Sequence, residues 1–261
     1  MKLWDFAVHP PCSLALSYKL FESHYNYGVE CREIKSMENN ISVILVVKNG
    51  ESYLAQAIES VIAQTSSPLE ILLIDGNSQD ATPEIASRYP NVTYILQTGC
   101  GLANGRNCGL SLARGEWVVF LDCDDYWSPD KLSRQMEFHR SNPIFEFSVG
   151  RVKFFLESGT MLRPGFRAIF FKIGAVGYTP GTLFARRSAF ERVGFFDESL
   201  AIACDADWFA RLKDSDEKVG VLEHVLLHKR IHSNNLSREV QQNRHELMIV
   251  LNHSLKRKRQ K

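Results

Sequence analysis

Short apolar runs alternate with longer amphipathic stretches between residues 41 and 131. The runs ISVILVV (41–47), ILLI (71–74), VTYIL (92–96) and WVVFL (117–121) are typical of strands buried on both faces of a parallel sheet. Between them, apolar residues recur at helical spacing over residues 53–64, from about residue 82, and over residues 102–113. This alternation predicts an α/β fold in which helices cover both faces of a parallel sheet.

Polar residues stand at the carboxyl ends of three predicted strands. Asn49 follows the first strand, Asp75 the second and Asp122 the fourth. Ligands of open parallel sheets bind in the crevice outside these strand ends. We therefore expect the three side chains to converge on one crevice.

The fourth apolar run ends in the acidic sequence DCDD, residues 122–125. At the end of an extended strand, Asp122 and Asp124 share one face and Cys123 points to the other. Two carboxylates so placed repel each other unless a cation lies between them, and Mg²⁺ binds carboxylates together with phosphate oxygens. The predicted chemistry is a metal-held diphosphate. The alternative is turn chemistry, with Ser128 as N-cap and Pro129 at the first helical position.

Composition and charge exclude several classes of protein. The 261 residues, 44% of them hydrophobic, are enough for one large domain, and the net charge of +1 argues against a nucleic-acid binder held by bulk electrostatics. No run approaches the roughly 18 apolar residues of a membrane span. Six cysteines without a CxxC pair and a start that makes a poor signal peptide predict a cytoplasmic protein with reduced thiols. The basic run over residues 256–261 is either a solvated end or a contact with an anionic membrane surface at its inner face.

Five segments in order resemble the family 2 glycosyltransferases, whose fold is of the GT-A type. They are ISVILVVKN, YLAQAIESVIAQT, LEILLIDGNSQDATPEI, GLANGRNCGLSLARGEWVVFLDCDDYWSPDKL and GTLFARRSAFERVGFFDESLAIACDADWFARL. The resemblance implies a mostly parallel central sheet with a Rossmann-like nucleotide-binding half. The implied domain spans residues 39–237, with a nucleotide-sugar half at 39–125 and an acceptor-side half at 126–237. Residues 1–38 are then an extension, with Met37 as an alternative start, and residues 238–261 a C-terminal helix with a basic tail.

The resemblance also implies roles for single residues. Asp75 would hold the base or ribose, and Arg106 would face the nucleotide or its diphosphate. Asp205 falls at the position of the family's general base, with Asp207 two places later supporting that alignment. The implied metal is Mn²⁺ or Mg²⁺, and its implied ligands are Asp122 and Asp124 of the DXD pair together with His232. The implied nucleotide-sugar-binding set is Val46, Asn49, Asp75, Arg106, Asp122 and Cys123.

The implied reaction is one inverting transfer of a sugar from a nucleotide-sugar donor, with a UDP-sugar as the expected donor. The acceptor stays open between a glycan, a lipid-linked glycan, a peptide and a small molecule. Three departures from the family pattern are Val47-Lys48 where an aromatic residue is usual, Gly76 in place of a second Asp, and Cys204 in place of Glu. Two alternatives are therefore kept: a catalytically silent nucleotide-sugar-binding protein, and a nucleotidyltransferase, which would not need Asp205 as a base.

Two further patterns were weighed. His224, His228 and His232 recur every fourth residue, but their surroundings predict a strand, in which four residues span about 13 Å, too far for a shared zinc ion. Residues 241–245 partly match the QxxRW signature of processive membrane-bound relatives; without membrane spans we expect a non-processive enzyme with a C-terminal amphipathic helix. Leu247, Ile249 and Val250 are expected to pack that helix on the domain. Residues 161–177 are the expected acceptor face or lid.

Overall fold

A computed structural model describes residues 40–160, 169–233, 235 and 239–260, apart from the side chain of Phe170. The chain divides into two compact units, Met1–Lys35 and Ser36–Lys261. The expectations for residues 1–38 and for Met37 lie outside the described residues, as does the first part of the expected lid. All that follows concerns the second unit.

The described residues form nine strands, eight α-helices and one 3₁₀ turn. The four strands and two helices for which both ends were predicted, all between residues 41 and 122, have boundaries within two residues of the prediction. The strands are β1 (Ile41–Val47), β2 (Glu70–Asp75), β3 (Val92–Leu96), β4 (Trp117–Asp122), β5 (Tyr126–Trp127), β6 (Phe147–Leu156), β7 (Ala175–Val176), β8 (Phe184–Arg186) and β9 (Val219–Ile231). The helices are α1 (Leu54–Ile62), α2 (Thr82–Ala86), α3 (Gly101–Leu112), α4 (Lys131–Ser141), α5 (Ile169–Lys172), α6 (Ala189–Val193), α7 (Cys204–Asp214) and α8 (Val240–Arg259), with the 3₁₀ turn at Pro180–Thr182.

All nine strands of the described region belong to one sheet with the order β3-β2-β1-β4-β8-β6-β9-β5, and β7 pairs with β6. β1, β2, β3 and β4 are parallel, as predicted, whereas β8 runs antiparallel to β4 and β6. Val46 pairs with Ile74 on one side and with Asp122 on the other. The carboxyl ends of β1, β2 and β4 are therefore level, and the strand order reverses between β1 and β4, where open α/β sheets bind ligands.

Each face of the sheet carries its own apolar core. Along β1, Ile44 belongs to one core, whereas Val43 and Leu45 belong to the other, because neighbouring residues of a strand point to opposite faces. Helices α3, α6 and α7 pack on the first face, and α1, α2 and α4 pack on the second. The prediction of helices on both faces is confirmed.

Two glycines of α3 bring that helix close to β1. A Cβ atom on Gly105 would lie 2.6 Å from Cγ1 of Val46, and one on Gly109 would clash with Ile44. Both glycines thus permit a close helix–strand contact that a larger residue would prevent. Arg106 follows Gly105 and is 1% exposed, so the tight contact seats its side chain under the strand ends.

One local prediction is wrong. Helix α4 begins at Lys131 after the N-cap residue Asp130, so Ser128 and Pro129 precede the helix rather than start it. The Ser128 hydroxyl donates instead to the Val225 carbonyl at 2.7 Å, beside the pairing of β5 with β9. Strand β5 has only two residues, too few to give a sequence pattern, and it lies directly before the expected helix start.

Helix α8 lies beside α7 and runs in the same direction. Near its start, Glu246 accepts hydrogen bonds from the backbone N–H groups of Ile202 and Ala203, both at 2.8 Å, at the N-terminus of α7. Near its end, Arg257 donates to Asp214, the last residue of α7, at 2.9 Å. These contacts fix the rotation of α8 about its axis. Val250 is buried as expected and Ile249 is partly buried, but Leu247 is 43% exposed, so its expected packing is wrong.

Replacing Glu246 with glutamine is expected to lower the free energy of unfolding at pH 7 by about 1–3 kcal/mol, because charge-assisted hydrogen bonds are lost. Burial raises the pKa of Glu246, but the N–H groups of Ala203 and Ile202 outweigh burial and hold that pKa below its usual value. Such a carboxyl group contributes stability above its unfolded pKa of about 4.3, and this stability is lost as the pH falls through the folded-state pKa.

Thermal unfolding measured at pH 7 and at successively lower pH tests this contribution of Glu246 to stability. Wild type and Glu246→Gln should differ at pH 7 and converge as the pH falls through the folded-state pKa of Glu246. Glu239→Gln, at the exposed N-cap position of α8, is the matched control and should leave the melting temperature unchanged. Equal melting temperatures of wild type and Glu246→Gln at pH 7 would contradict the role given to Glu246.

Candidate functional site

Three carboxylates converge where β4 ends. Asp122, Asp124 and Asp125 each offer an oxygen, and these oxygens all lie within 4.8 Å of one another. Asp122 and Asp124 have side chains 24% and 22% exposed, whereas that of Asp125 is 1% exposed. The predicted DXD pair therefore faces the crevice, with a third carboxylate below it.

Arg106 connects the acidic cluster with the first turn of α7. Its Nη2 donates to Asp122 Oδ1 at 2.9 Å, and its Nη1 donates to Cys204 Sγ at 3.6 Å. Burial raises the pKa of Asp122, but Arg106 and Lys229 outweigh burial and hold that pKa below its usual value. Asp122 thus stays ionised, and any effect of Arg106 on a bound diphosphate would pass through it.

Asp125 holds a partly exposed lysine beside the DXD pair. Lys229 Nζ lies 3.0 Å from Asp125 Oδ2 and 3.7 Å from Asp122 Oδ2, and the Arg230 N–H donates to Asp125 Oδ1 at 2.9 Å. Burial lowers the pKa of Lys229, but the attraction of the three carboxylates outweighs it, so the net pKa is raised. The ammonium group offsets part of the repulsion between the acids.

Asp124 is oriented by residues at the end of β9 and just after it. Its Oδ2 accepts hydrogen bonds from Asn235 Nδ2 at 3.1 Å and lies 2.9 Å from His232 Nε2, while its backbone carbonyl accepts from Arg230 Nε at 3.1 Å. The Arg230 guanidinium lies between the rings of Tyr53 and Phe155, 4.6 Å from each ring centre. His232, which the resemblance suggests as a metal ligand, therefore lies beside the acidic cluster and contacts the carboxylate of Asp124.

The turns after β1 and β2 are hydrogen-bonded to each other. The Asn49 N–H donates to Ser78 Oγ at 2.8 Å, and Asn49 Oδ1 accepts from the Gln79 N–H at 2.9 Å. Asp75 is 1% exposed; its Oδ1 accepts from Ser78, and its Oδ2 from the Tyr94 hydroxyl. In this structure Asp75 fixes the shape of the turn that borders the crevice.

Val46 and Cys123 lie on opposite faces of the sheet beside this crevice. Val46 is partly buried and packs with the core under α3, and Cys123 is partly buried and packs with the core on the other face. Burial raises the pKa of the Cys123 thiol well above its usual range, and the neighbouring Asp124 and Asp122 raise it further. The Cys123 side chain is neutral and points away from the acidic pair, as predicted.

Asp205 lies in the first turn of α7, where the positive end of the helix dipole favours a carboxylate. Its Oδ1 accepts from the N–H of Ala206 at 2.8 Å, and the N-cap residue is Ala203, so Asp205 is not the cap itself. Burial raises the pKa of the preceding Cys204 to about 11, although Arg106 opposes this effect. Asp207 is 3% exposed and pairs with Arg211 at 2.8 Å. Of the two acids, Asp205 is partly exposed, whereas Asp207 is buried in an ion pair.

The donor set of this crevice fits a hard divalent cation. Asp122 and Asp124 offer partly exposed carboxylate oxygens, which are the ligands that Mg²⁺ and Mn²⁺ prefer. Asp125 is 1% exposed and accepts from Lys229 and from the Arg230 N–H, so it supports the pair from below. Among the described residues, this is the one cluster of three potential metal ligands.

Sequence reasoning missed the supporting residues Asp125, Lys229, Arg230 and Asn235. The pair Lys229-Arg230 closely precedes His232, and two cations at the end of a strand are a signal that could have been used. The prediction that His224 and His228 lie on a strand is confirmed, since both belong to β9. In the part of the chain that is described, no helix combines the length and apolar character that a membrane crossing requires.

Solved structures with the same fold include two glycosyltransferase complexes. S. aureus TarS (residues 1–349) in complex with UDP-GlcNAc is 20% identical, with a TM-score of 0.63 over 77% of this chain and 61% of that one. The mannosyltransferase PcManGT from Pyrobaculum calidifontis, in complex with GDP-Man and Mn²⁺, is 19% identical, with a TM-score of 0.64 over 83% of this chain and 64% of that one. These similarities confirm the predicted GT-A fold.

Sequence relatives agree with this fold. Escherichia coli WfaP, a UDP-Glc:α-D-GlcNAc-diphosphoundecaprenol β-1,3-glucosyltransferase, is 33% identical over 108 residues, which cover 40% of this chain and 43% of WfaP. The uncharacterized glycosyltransferase RP339 of Rickettsia prowazekii is 28% identical over 207 residues, which cover 74% of this chain and 64% of RP339. The chain thus spans less than two thirds of the length of either relative.

A protein-family model matches the part of the chain that contains most strands of the described sheet. The model described as glycosyl transferase family 2 matches residues 42–198. This range contains β1 apart from Ile41, β2 to β4, the Arg106 helix and the DXD pair. The last of the five resembling segments, which includes Asp205, extends beyond it. The chain belongs to glycosyl transferase family 2.

Proposed function

We propose that this protein is a metal-assisted, inverting glycosyltransferase that moves one sugar from a nucleotide-sugar donor to an acceptor. The main support is the double contact of Arg106, which joins Asp122 at the metal end of the crevice to Cys204 beside Asp205. An acidic pair for a diphosphate and a separate carboxylate for an acceptor are thereby held within one rigid unit. A nucleotidyltransferase would need the first of these but not the second.

The donor side of the site is built to hold a diphosphate. Bound between Asp122 and Asp124, Mn²⁺ or Mg²⁺ would act as a Lewis acid for the diphosphate leaving group. Arg106 keeps Asp122 ionised and oriented, and His232 with Asn235 orients Asp124. Because these partners are packed around the pair, the geometry is fixed before the donor arrives, which limits the reorganisation needed in the transition state.

On the acceptor side we assign Asp205 as general base. An inverting displacement needs a carboxylate that accepts the proton of the acceptor nucleophile on the face of the sugar opposite the leaving group. Asp205 is partly exposed at the start of α7, and its second oxygen remains for an acceptor while Oδ1 accepts from the Ala206 N–H. Cys204 stands where the family usually has Glu. Its sulfur accepts a hydrogen bond from Arg106, so this position still contacts the arginine.

The nucleotide is proposed to lie along the turns of β1 and β2. Asn49 and Asp75 shape these turns, and Val46 and Cys123 border the strand ends between them. A UDP-sugar is the proposed donor because WfaP uses UDP-Glc and TarS was solved with UDP-GlcNAc. PcManGT was solved with GDP-Man, so a GDP-sugar is the competing choice.

A lipid-linked glycan is the proposed acceptor class, since WfaP acts on a diphosphoundecaprenol-linked sugar. Such an acceptor would place the enzyme in the cytoplasm, at the inner face of a membrane. We also infer non-processive transfer, because residues 241–245 match the QxxRW signature of processive relatives only in part, with His245 where that signature has Trp.

A donor panel tests the proposal. Release of nucleoside diphosphate is measured from UDP-Glc, UDP-GlcNAc and GDP-Man, each with Mn²⁺, with Mg²⁺ and with chelator, in the presence of undecaprenyl-diphosphate-linked GlcNAc. One donor should be turned over with either metal and should lose at least about 100-fold in rate with chelator. Equal turnover in chelator would contradict metal assistance. Release of sugar 1-phosphate instead of nucleoside diphosphate, with nucleoside triphosphate formed when pyrophosphate is added, would identify a nucleotidyltransferase.

A further inference from the structure

Helix α8 carries an apolar stripe that faces solvent. The stripe consists of Val240, Leu247, Met248, Leu251 and Leu255, which are 50%, 43%, 57%, 50% and 45% exposed. At about 100° per residue, these five positions fall within an arc of about 100° on the helix surface. Glu246 and Val250, which are buried, lie about 150° and 110° from the centre of the stripe. The helix therefore packs a different side against the domain, and the stripe has no partner among the described residues.

The contacts with α7 prevent α8 from turning to bury this stripe. Glu246 binds the N-terminus of α7, and Asp214 at the end of α7 accepts from Ser254 at 3.1 Å and from Arg257 at 2.9 Å. A rotation that covered Leu251 would withdraw Glu246 and Arg257 from these partners. The outward direction of the stripe is thus a fixed property of the domain.

Basic residues surround the stripe. Arg244, Lys256, Lys258 and Arg259 are all exposed, and Arg244 and Lys258 fall within the arc of the stripe itself. Lys258 also lies 3.8 Å from Asp214, and its side chain remains 58% exposed. A helix with leucine and methionine on one side and basic residues among and beside them is typical of helices that lie in the plane of a membrane interface.

We propose that α8 docks on an anionic membrane surface through this stripe. The positive charge around the stripe favours a membrane surface over two other partners, a second copy of the chain and residues 1–39. A second copy of the chain would bring two sets of basic residues together, and like charges repel. Residues 1–39 contain four basic and five acidic residues, so they are nearly neutral in charge and offer little complement to the stripe. Anionic headgroups complement the basic residues while the acyl boundary accepts the leucines.

Docking through α8 would also orient the active site. Asp205 belongs to α7, which lies parallel to α8 and is held to it at both ends. A membrane bound by α8 is therefore a fixed plane with respect to α7, on which the proposed base stands. The docking itself does not require glycosyl transfer, and it can be measured without any nucleotide.

Vesicle co-sedimentation of the full chain tests the proposal. Vesicles of phosphatidylglycerol and phosphatidylcholine should bind the protein at least about tenfold more tightly than phosphatidylcholine alone, and salt should weaken the binding. The double variant Met248→Glu/Leu251→Glu should lower binding by about tenfold or more because charge is placed at the acyl boundary. The double variant Lys256→Gln/Arg259→Gln should reduce only the component of vesicle binding that depends on anionic lipid.

The matched control is Leu112→Glu/Ile144→Glu, which changes two apolar residues that are 45% and 65% exposed and lie outside α8. It should bind vesicles like wild type, and both double variants should keep the wild-type melting temperature, because the replaced side chains are exposed. Failure of wild type to bind anionic vesicles, or equal binding by the two Glu variants, would overturn the proposal. So would a dimer in light scattering that Met248→Glu/Leu251→Glu dissociates, since a second copy would then be the occupant.

Discussion

Replacement of Asp205 with asparagine is expected to lower the rate of sugar transfer by about 10²–10⁴-fold, the usual contribution of a positioned general base. The change removes one proton acceptor and leaves the side-chain size unchanged. Asparagine can still accept from the Ala206 N–H, so the start of α7 should persist. Donor binding should stay within about twofold of wild type, because the acidic pair that holds the diphosphate is untouched.

The matched control for Asp205→Asn is Asp207→Asn in the same turn. Asp207 is 3% exposed and pairs with Arg211, so its loss should lower the melting temperature but leave the turnover of folded protein near that of wild type. The ratio of the two turnover numbers separates catalysis from a general effect of removing a carboxylate here. Unchanged transfer in Asp205→Asn would exclude it as the base, and absence of transfer by wild type with intact donor binding would favour a silent nucleotide-sugar-binding protein.

Asp122→Ala is expected to lower the free energy of unfolding by about 2–4 kcal/mol, because it leaves a buried guanidinium without its carboxylate. Arg106 is 1% exposed, and in the described part of the chain its ion-pair partner is Asp122. The value lies toward the lower end of the range for buried pairs because Asp122 is 24% exposed and water can enter in its place. Chemical denaturation of the two proteins measures the difference.

Asp124→Asn is the companion variant, since Asp124 lies at the same crevice but has no buried arginine. Its carboxylate contacts His232 and Asn235 at the crevice, and asparagine can keep a hydrogen bond to either. We expect a change in unfolding free energy below about 1 kcal/mol. If Asp122→Ala and Asp124→Asn were equally stable, the structural link from Arg106 to Asp122 would not hold. This contrast also makes Asp124 the better position for probing metal binding alone.

The nucleotide-binding half could be predicted from sequence because its signals are local. The apolar run of β1 and the run of β4 are continuous, and parallel strands place their carboxyl ends at one edge, so Asn49, Asp75 and Asp122 had to lie near one another. The DXD spacing then placed Asp122 and Asp124 on one side of an extended chain. No knowledge of distant residues was needed for any of these steps.

The residues that hold the acidic pair in place could not be predicted in the same way, because they come from segments distant in sequence. Lys229 lies 104 positions after Asp125 and reaches it through the pairing of β9 with β5, a strand of two residues that gives no periodic signal. The contact of Arg106 with Cys204 spans 98 positions and depends on how closely α3 approaches β1. The exposure of Leu247 was not predicted, because helical spacing alone does not show which side of a helix packs against the domain.

The most direct test of the central claim is calorimetric titration of UDP and GDP into wild type and Asp124→Asn, each with Mn²⁺ and with chelator. The account predicts that one nucleotide binds wild type with Mn²⁺, that chelator weakens this binding at least about tenfold, and that Asp124→Asn binds no more tightly with metal than without it. Binding to wild type that is equally tight with Mn²⁺ and with chelator, or full metal dependence in Asp124→Asn, would contradict a metal-held diphosphate at this crevice.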